Sequence, residues 1–518
     1  AGEMRERVDN LVGFGSDQIW VSTFHSACMR ILRRHIDRLG YDTGFTIYDT
    51  DDQKVVIKGV CKRLNIDTKV HKERTLLGAI SAAKDELIGV REYELSAAGD
   101  YNKSIYAKVY REYQETLQKN NALDFDDIIV KTVELFKACP EILDSYQERF
   151  QYIMVDEYQD TNTAQFELVK LLAQKYRNLC VVGDDDQSIY RFRGATIENI
   201  LNFENQYKGA RTIRLEQNYR STQSILNAAN AVIANNHGRK GKTLWTANGE
   251  GDAVTVYTAS DGTEEANYVS GRILSLSRTS GFKNCAVLYR TNAQSNAIEY
   301  SFKRNGIPYR IIGGTRFFDR AEVKDMLSYL CVINNRADDL RLKRIINNPP
   351  RGLGAKTIET VERLAEAGGI PMYSVVSDPY SYGPLEKPAM KLMQFSVFVE
   401  GMAELLETGI SLPEFYDELL ERSGYVAMLQ AKPTEENKTR LENVRELKSS
   451  INSYVENAEI PTLAGFLEEI ALYTDLEQYN ESDDAVVMMT MHSAKGLEFP
   501  HVFLVGFEDG LFPGLRSI

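Results

Sequence analysis

Acidic and amide side chains follow two short apolar runs near the middle of the chain. Residues 151–155 lead directly into Asp156 and Glu157, and residues 179–182 lead into a polar stretch that contains Gln187. Nucleotide hydrolysis needs one carboxylate to hold Mg²⁺ on the phosphates, a second to deprotonate water, and a group that contacts the γ-phosphate. The spacing makes Asp156, Glu157 and Gln187 candidates for such a site.

The elements that must position these side chains form a predicted strand–helix–strand unit. Both apolar runs lack alternation, which is typical of buried parallel strands, and residues 164–176 between them carry apolar residues at helical spacing. Because such a crossover is almost always right-handed, both strands end at the sheet edge where ligands bind. The alternative is that Asp156 caps the following helix and the other acids are solvated. A second polar strand end beside the first weighs against it.

Aromatic and basic residues alternate a few positions after Gln187. Tyr190, Phe192 and Arg193 lie in a run of four such residues. This pattern is typical of a surface on which the bases of single-stranded nucleic acid stack. The stretch therefore predicts a nucleic-acid platform directly beside the candidate γ-phosphate contact.

Two further stretches allow either a nucleic-acid contact or an ordinary structural role. Phe24 and His25 follow an apolar run at residues 18–22 and could stack on a base. From spacing alone, a core-packed Phe24 and a helix-capping His25 are favoured. The turn at residues 351–354 could offer backbone N–H groups to a phosphate, but an ordinary helix–helix turn is favoured there.

The bulk composition is that of a globular protein with several domains, since 518 residues are too many for a single core. No apolar run approaches the ~18–20 residues needed to span a bilayer, and no secretory signal is recognised, so a cytoplasmic location is expected. The net charge of −13 argues only weakly against nucleic acid, because binding needs no more than a local basic path. The six cysteines are scattered without a Cys-x-x-Cys pair, which argues against zinc sites and disulfides.

The order of strand-like and helical stretches predicts an α/β fold with two parallel-sheet domains, each interrupted by an α-helical insertion. The predicted segments are 1–40 and 123–213 for the first sheet domain, 41–122 for its insertion, 214–315 and 483–518 for the second sheet domain, and 316–482 for its insertion. Residues 18–22, 212–215, 253–258, 285–289, 485–489 and 501–505 are among the predicted strands.

Five blocks of the sequence resemble motifs of the UvrD/PcrA/Rep family of superfamily-one DNA helicases, and they occur in the family's order. The blocks, each with the motif it resembles, are Ser22-Thr23-Phe24-His25-Ser26 (Ib), Asp156-Glu157-Tyr158-Gln159-Asp160 (II), Gly183-Asp184-x-Asp186-Gln187-Ser188-Ile189-Tyr190-Arg191-Phe192-Arg193-Gly194-Ala195 (III), Gln217-Asn218-Tyr219-Arg220-Ser221 (IV) and Thr490-x-His492-Ser493-Ala494-Lys495-Gly496-Leu497-Glu498-Phe499 (V). A chance match of five such blocks is negligible. Within the family, the sequence is most similar to the PcrA type.

The resemblance implies two RecA-like motor domains of the P-loop NTPase fold, and it implies a role for each matching residue. In the ATP site, Asp156 would bind Mg²⁺, Glu157 would be the catalytic base and Gln187 would contact the γ-phosphate. Tyr219 would stack on adenine, Arg220 would be the arginine finger and Glu498 would hold the ribose. The residues that would line the single-strand track are Phe24, His25, Tyr190, Phe192, Arg193, Arg290 and Asn292. For the turn at residues 351–354 the resemblance favours a grip on duplex phosphate, through Arg351, Gly352 and Gly354.

The activity that the resemblance implies is that of an ATP-dependent helicase with ATP and Mg²⁺ as cofactors. Such an enzyme would move 3′→5′ on single-stranded DNA and unwind duplex. Its partners would be single-stranded DNA, duplex junctions and proteins of DNA repair or replication. A monomer without membrane contact is expected.

Two parts of the family's pattern are not found in the sequence. The phosphate loop Gly-x-x-x-x-Gly-Lys-[Ser/Thr] has no match, because Gly241-Lys242-Thr243 has Asn236 where the first glycine belongs and follows no predicted strand. Motif VI is expected beyond Ile518. We therefore expect a chain truncated at both ends that turns over ATP only in its full-length parent. The alternative is a non-catalytic DNA-binding or regulatory module.

Replacing Phe192 with alanine should weaken single-strand binding by about 1–3 kcal/mol, roughly 5- to 150-fold in Kd, because a stacking face is lost. Unwinding should slow in parallel. Fluorescence anisotropy of a labelled oligonucleotide on the full-length protein measures the binding, with Phe192→Trp as a control that keeps an aromatic face. Unchanged binding and unwinding in Phe192→Ala would remove the stacking role.

Overall fold

The computed structural model describes residues 2–191, 194–236, 238–312, 317–472 and 484–514. Two of the predicted DNA contacts, Phe192 and Arg193, lie outside these ranges. The helices and strands up to residue 202 are α1 (Gly2–Val12), α2 (Phe24–His35), β1 (Thr46–Tyr48), α3 (Thr50–Arg63), α4 (Glu73–Asp85), α5 (Val90–Ser96), α6 (Tyr101–Lys119), β2 (Ala122–Asp124), α7 (Phe125–Ala138), α8 (Pro140–Arg149), β3 (Ile153–Val155), α9 (Thr163–Ala173), β4 (Leu179–Val181) and α10 (Glu198–Leu201).

The remaining elements form a mixed segment, a long helical segment and a final pair of strands. The mixed segment contains α11 (Phe203–Gln206), β5 (Gln217–Asn218), α12 (Gln223–Ile233), β6 (Trp245–Thr246), α13 (Gly262–Ser280), β7 (Cys285–Tyr289), α14 (Ser295–Asn305) and β8 (Tyr309–Ile311). The helical segment and final strands are α15 (Ala321–Asn334), α16 (Asp339–Ile345), α17 (Ala355–Gly368), α18 (Met372–Ser377), α19 (Ala389–Glu407), α20 (Leu412–Arg422), α21 (Tyr425–Gln430), α22 (Glu435–Asn457), α23 (Leu463–Leu472), β9 (Val486–Thr490) and β10 (His501–Leu504). The fold is mixed α/β with parallel strands. In the part of the chain that the structure describes, no helix is long and apolar enough to cross a bilayer.

The predicted strand–helix–strand unit is confirmed as β3–α9–β4. β3 and β4 pair in parallel, with Ile153 opposite Leu179 and Val155 opposite Val181. Helix α9 begins at its N-cap Asn162, whose side chain accepts a backbone N–H of the first turn. Both strands therefore end at one edge of their sheet.

A second parallel sheet has the order β10–β7–β9–β8. Apart from Thr490 at the end of β9, its central strands are apolar and almost fully buried, as in sheets covered on both faces. Ile273 of α13 and Phe302 of α14 pack on Val287 of β7 in one apolar core. The runs at 285–289, 485–489 and 501–505, predicted as strands, all lie in this sheet.

The predictions of strands at residues 18–22, 212–215 and 253–258 are wrong within the described structure, where none of the three joins a sheet. The first contains the end of a 3-10 helix, Ser16–Gln18, and then continues as irregular chain. Apolar periodicity reports which side chains seek burial, whereas a strand also needs a neighbouring backbone to complete its hydrogen bonds.

The chain divides into two compact units. One contains Ala1–Asn202 with Phe318–Leu472, and the other contains Phe203–Phe317 with Tyr473–Ile518. Helices α15–α23 therefore share a unit with the first part of the chain. The predicted division into two sheet domains and two insertions stays a prediction.

A buried polar cluster joins α3 to α16 within the first unit. Arg341 forms an ion pair with Asp52, and both side chains are about nine-tenths buried. Tyr48 Oη donates to Asp338 Oδ1 at 2.6 Å and accepts from Asn120 Nδ2 at 3.1 Å. Burial raises the pKa of Asp52 to about 7, although the Arg341 guanidinium opposes this change. The charge of the Arg341 guanidinium thus acts on two buried carboxyl groups, those of Asp52 and Asp338.

Replacing Arg341 with alanine should destabilise this unit by about 3–5 kcal/mol, because Asp52 and Asp338 would stay buried without their cation. Urea unfolding followed by circular dichroism measures the loss. The matched control is Arg38→Ala, which removes an exposed ion pair to Glu141 with a 2.9 Å separation and should cost at most about 1 kcal/mol. Equal effects of the two substitutions would contradict a structural role for the buried cluster.

Candidate functional site

Asp156 and Glu157 follow β3 directly, and both side chains are exposed. Glu157 has a φ of +51°, a left-handed conformation that costs a non-glycine residue about 1–3 kcal/mol and is common at functional sites. Asp156 Oδ1 accepts a hydrogen bond from Glu157 N at 2.9 Å. This tight turn presents two carboxylates at the strand end, where a phosphate–metal complex can approach.

Gln187 ends a short 3-10 turn, Asp185–Gln187, that follows β4. Its Nε2 donates to Asp184 Oδ2 at 2.8 Å, and its backbone N donates to Asp184 O at 2.9 Å. Asp184 Oδ1 also accepts from Asp186 N at 2.9 Å. These contacts fix the Gln187 amide at the end of the strand that pairs with β3.

Sequence reasoning assigned no role to Gln159, although its amide joins the two strand ends. Gln159 is fully buried. Its Nε2 donates to Glu157 Oε2 at 2.6 Å, and its Oε1 accepts from Asp184 N at 2.9 Å. The signal in the sequence was only an amide inside an acidic run, a pattern that also describes a solvated turn.

Phe24 and His25 form the start of α2, whose N-cap is Thr23 rather than His25. Phe24 packs against the apolar core, and the His25 ring meets the edge of Phe125 at 5.9 Å between centroids. Burial lowers the pKa of His25, although the Asp126 carboxylate opposes this change. The imidazole is therefore neutral at pH 7, so a contact with DNA would use its ring rather than a charge.

A cavity of about 510 Å³ is lined by His25 and Tyr190 together with the carboxyl groups of Asp85, Asp126 and Asp160. The structure thus brings two of the predicted DNA contacts to one cavity. Its acidic lining disfavours a phosphate inside it. A DNA backbone on this side would have to stay outside the cavity.

Asp85, at the end of α4, contacts both polar stretches of the candidate site. Asn162 Nδ2 donates to Asp85 Oδ1 at 2.5 Å, and the other carboxyl oxygen lies against Gly194, where a Cβ would collide with it. Burial, and next the charge of Asp126, raise the pKa of Asp85 to about 7. The segment predicted as the first helical insertion therefore contacts Asn162, two residues after Asp160, and Gly194.

Arg220 and Glu498, both in the second unit, form an ion pair with side chains that are 60% and 64% exposed. Asn218 Oδ1 accepts from Arg220 N at 3.0 Å and fixes the turn, and the ring of Tyr219 beside it is exposed. Exposed ion pairs contribute about 0–1 kcal/mol. Phosphate oxygens can therefore replace the carboxylate as the partner of Arg220 at little cost.

Arg290 and Asn292 follow β7, and His492 follows the adjacent strand β9. Arg290 Nη1 lies 3.1 Å from His492 Nδ1, and Arg290 N donates to Gln294 Oε1 at 3.1 Å. Asn292 is exposed. His492 had no assigned role, and the structure places it beside a predicted DNA contact at the ends of two parallel strands.

Arg351 points into the helical segment rather than towards solvent. Its Nη2 donates to Tyr329 Oη at 2.6 Å, and its Nη1 donates to backbone carbonyls of its own turn. Gly352 and Gly354 are exposed before α17, and Lys391 Nζ donates to Gly352 O at 3.3 Å. A phosphate would therefore meet the glycine backbone and Lys391 first, and the DNA role of Arg351 stays a prediction.

Comparison with known proteins finds family matches along nearly the whole chain. The UvrD/REP helicase N-terminal domain matches residues 1–208, and the UvrD-like helicase C-terminal domain matches residues 213–518. The chain belongs to the UvrD/REP helicase family. It is 46% identical over 526 residues to the ATP-dependent DNA helicase PcrA of Bacillus subtilis strain 168, covering all of this chain and 71% of that protein. The PcrA proteins of Staphylococcus aureus strain Mu50 and Staphylococcus epidermidis strain RP62A are each 48% identical over 521 residues, with the same coverage.

Helicases of the UvrD family use ATP and typically Mg²⁺, and the donor set after β3 fits that ion. Mg²⁺ prefers hard oxygen ligands, and it usually keeps several waters while one or two carboxylates and substrate phosphates complete its shell. Asp156 offers one exposed carboxylate. Among the described residues no group of three His, Cys, Asp or Glu side chains forms a ready-made metal cage. Asp156 thus suits an ion that arrives with phosphate.

Replacing Asp85 with asparagine should reduce the pH dependence of stability, because an amide at this position would not titrate. The folded-state pKa of about 7 lies above the ordinary 3.8. The stabilisation from this carboxyl is therefore complete below about pH 4 and is lost as the pH rises through 7. Thermal unfolding midpoints between about pH 5 and 8 should fall more steeply for the unmodified protein than for Asp85→Asn.

The matched control is Asp37→Asn, which changes an exposed carboxylate and should leave the steeper slope intact. A wild-type slope in Asp85→Asn would contradict the assignment of the titrating group.

Proposed function

We propose that this protein is an ATP-dependent DNA helicase that moves 3′→5′ along single-stranded DNA and unwinds duplex. The observation that carries the proposal is the sheet edge at which Asp156, Glu157 and Gln187 follow two paired parallel strands. The proposed architecture consists of two RecA-like motor domains, each interrupted by a helical insertion. The protein acts in the cytoplasm as a monomer and serves DNA repair or replication. Membership of the UvrD/REP family supports the proposal.

The three residues at this edge have separate roles in ATP hydrolysis. Glu157 takes a proton from water while the water oxygen bonds to the γ-phosphorus and the bond to the ADP oxygen breaks. Asp156 would hold a hydrated Mg²⁺, which would neutralise negative charge on the phosphates. The Gln187 amide donates to a γ-phosphate oxygen and loses that partner when phosphate leaves.

Arg220, Tyr219 and Glu498 have further proposed roles in nucleotide binding. Arg220 exchanges the exposed carboxylate of Glu498 for γ-phosphate oxygens and neutralises charge that develops in the transition state. Tyr219, whose exposed ring needs no rearrangement to stack, binds adenine. Glu498, released from Arg220, accepts hydrogen bonds from the ribose hydroxyl groups.

The DNA track combines stacking rings with cations. Its residues are Phe24, His25, Tyr190, Phe192, Arg193, Arg290 and Asn292. Stacking on aromatic faces tolerates any base, which suits a motor that moves along arbitrary sequence. The turn at Arg351, Gly352 and Gly354 holds duplex phosphates ahead of the single strand, through backbone N–H groups that precede α17.

The second candidate function, a non-catalytic DNA-binding or regulatory module, is not favoured. The relatives matched along the entire chain are named ATP-dependent DNA helicases. ATPase assays of the full-length protein with and without single-stranded DNA, run beside a strand-displacement assay with 3′- and 5′-tailed duplexes, separate the two functions. Stimulated turnover with displacement from the 3′-tailed duplex supports the helicase, and DNA binding without turnover supports the module.

Replacing Glu157 with glutamine in the full-length protein should lower ATP turnover by about 10²–10⁴-fold, because the amide cannot accept the proton. Single-strand binding should be unchanged, since Glu157 does not lie on the track. A phosphate-release assay and fluorescence anisotropy give the two quantities. Glu141→Gln, at an exposed residue paired with Arg38, is the control and should leave both unchanged. Substantial residual turnover in Glu157→Gln would remove Glu157 as the base.

A further inference from the structure

We propose that Gln159 is the positioning residue that aims the Glu157 carboxylate and ties it to the Gln187 turn. The inference rests on the proposed function, because it takes Glu157 as the base of ATP hydrolysis. Gln159 has no exposed surface, so it acts through its two neighbours and does not touch ATP.

The two ends of the Gln159 amide meet groups of opposite character. The Glu157 carboxylate can only accept, and it receives Nε2–H at 2.6 Å. The Asp184 backbone N–H can only donate, and it gives its hydrogen bond to Oε1 at 2.9 Å. The chemistry of the partners thus fixes which end of the amide faces which strand. A buried amide with both ends paired has little freedom to turn.

These bonds continue from the base to the γ-phosphate contact. Asp184 donates its backbone N–H to Gln159, and its carboxylate Oδ2 accepts from Gln187 Nε2 at 2.8 Å. The sequence of groups is therefore Glu157, Gln159, Asp184 and Gln187, which spans the ends of both strands. A shift of Gln187 on phosphate release is passed to the base through three hydrogen bonds and one backbone unit.

The backbone around Gln159 is shaped to keep this amide in place. A Cβ on Gly183 would lie 2.5 Å from Gln159 Oε1 and 2.7 Å from Ile200 Cδ1, closer than atoms can approach without displacement. Any side chain at position 183 would therefore displace the Gln159 amide or the end of the Ile200 side chain. Glu157 keeps its left-handed φ of +51°, so the turn that presents the carboxylate is held against its own backbone preference.

Gln159→Glu is the sharpest test because it exchanges the N–H donor for an oxygen at almost constant size. A carboxylate at position 159 cannot donate to Glu157 and repels it, so the Glu157 carboxylate is no longer held in its present direction. At pH 7, kcat for ATP should fall at least about tenfold. KM for ATP should stay within about twofold, since no nucleotide contact is lost.

Steady-state ATPase assays of the full-length protein at saturating single-stranded DNA give kcat and KM. Gln159→Met serves as a second variant, because it removes the donor without adding a carboxylate. It should lower kcat at least about tenfold at unchanged KM. The control is Gln165→Glu, the same exchange in the first turn of α9. Its carboxylate can still accept from Asn162 N, as Oε1 does at 3.2 Å, so kcat and KM should not change.

The outcomes separate the two assignments. Turnover that survives Glu157→Gln overturns the base and with it the proposed function of this edge. An inactive Glu157→Gln, combined with wild-type kcat and KM in both Gln159 variants, overturns the positioning role alone. An equal rise of KM and fall of kcat in Gln159→Met would assign Gln159 to nucleotide binding and would likewise overturn the proposal.

Discussion

The parallel pairing of β3 with β4 is the constraint on which the rest of the site depends. It aligns Val155 with Val181, so the carboxylates after one strand and the amide after the other lie at the same edge of the sheet. Each strand has only three residues in the ladder, and the hydrogen bonds continue beyond it through Val182 N to Val155 O at 2.8 Å and Tyr158 N to Val182 O at 2.9 Å. The hydrogen bond from Asp184 N to the Gln159 amide oxygen is the last of this series. Register, turn geometry and carboxylate direction are thus set by one set of bonds.

Two arginine–carboxylate pairs differ in burial, and the burial determines how much free energy it costs to separate each pair. Arg341 and Asp52 are buried, and separating them leaves charges in a medium that cannot solvate them. Arg220 and Glu498 are exposed, and water takes over either partner with little change in free energy. The first pair fixes helices to one another. The second leaves its guanidinium ready to change partners when a phosphate arrives.

The sequence predicted the strands whose side chains are apolar on both faces of the sheet. The apolar runs at residues 151–155, 179–182 and 285–289 contain β3, β4 and β7, and all three strands lie in parallel sheets. The run at residues 18–22 looked similar, but local pattern does not say whether another backbone will pair with it. Gln159 escaped prediction for a related reason. Its acceptor partner is near in sequence, whereas its donor, Asp184 N, lies 25 residues further along the chain.

Gly183 gives this arrangement a weak point that a survey of chemically active side chains overlooks. It carries no group that could bind a metal, a nucleotide or a base, yet the amide behind the catalytic carboxylate occupies the space that any side chain would need. If the Glu157 carboxylate serves as the base proposed above, alleles at this codon would fall into the same phenotypic class as alleles of that carboxylate in a genetic selection for loss of motor activity. Intolerance to variation at a position is thus no guide to whether the position performs chemistry.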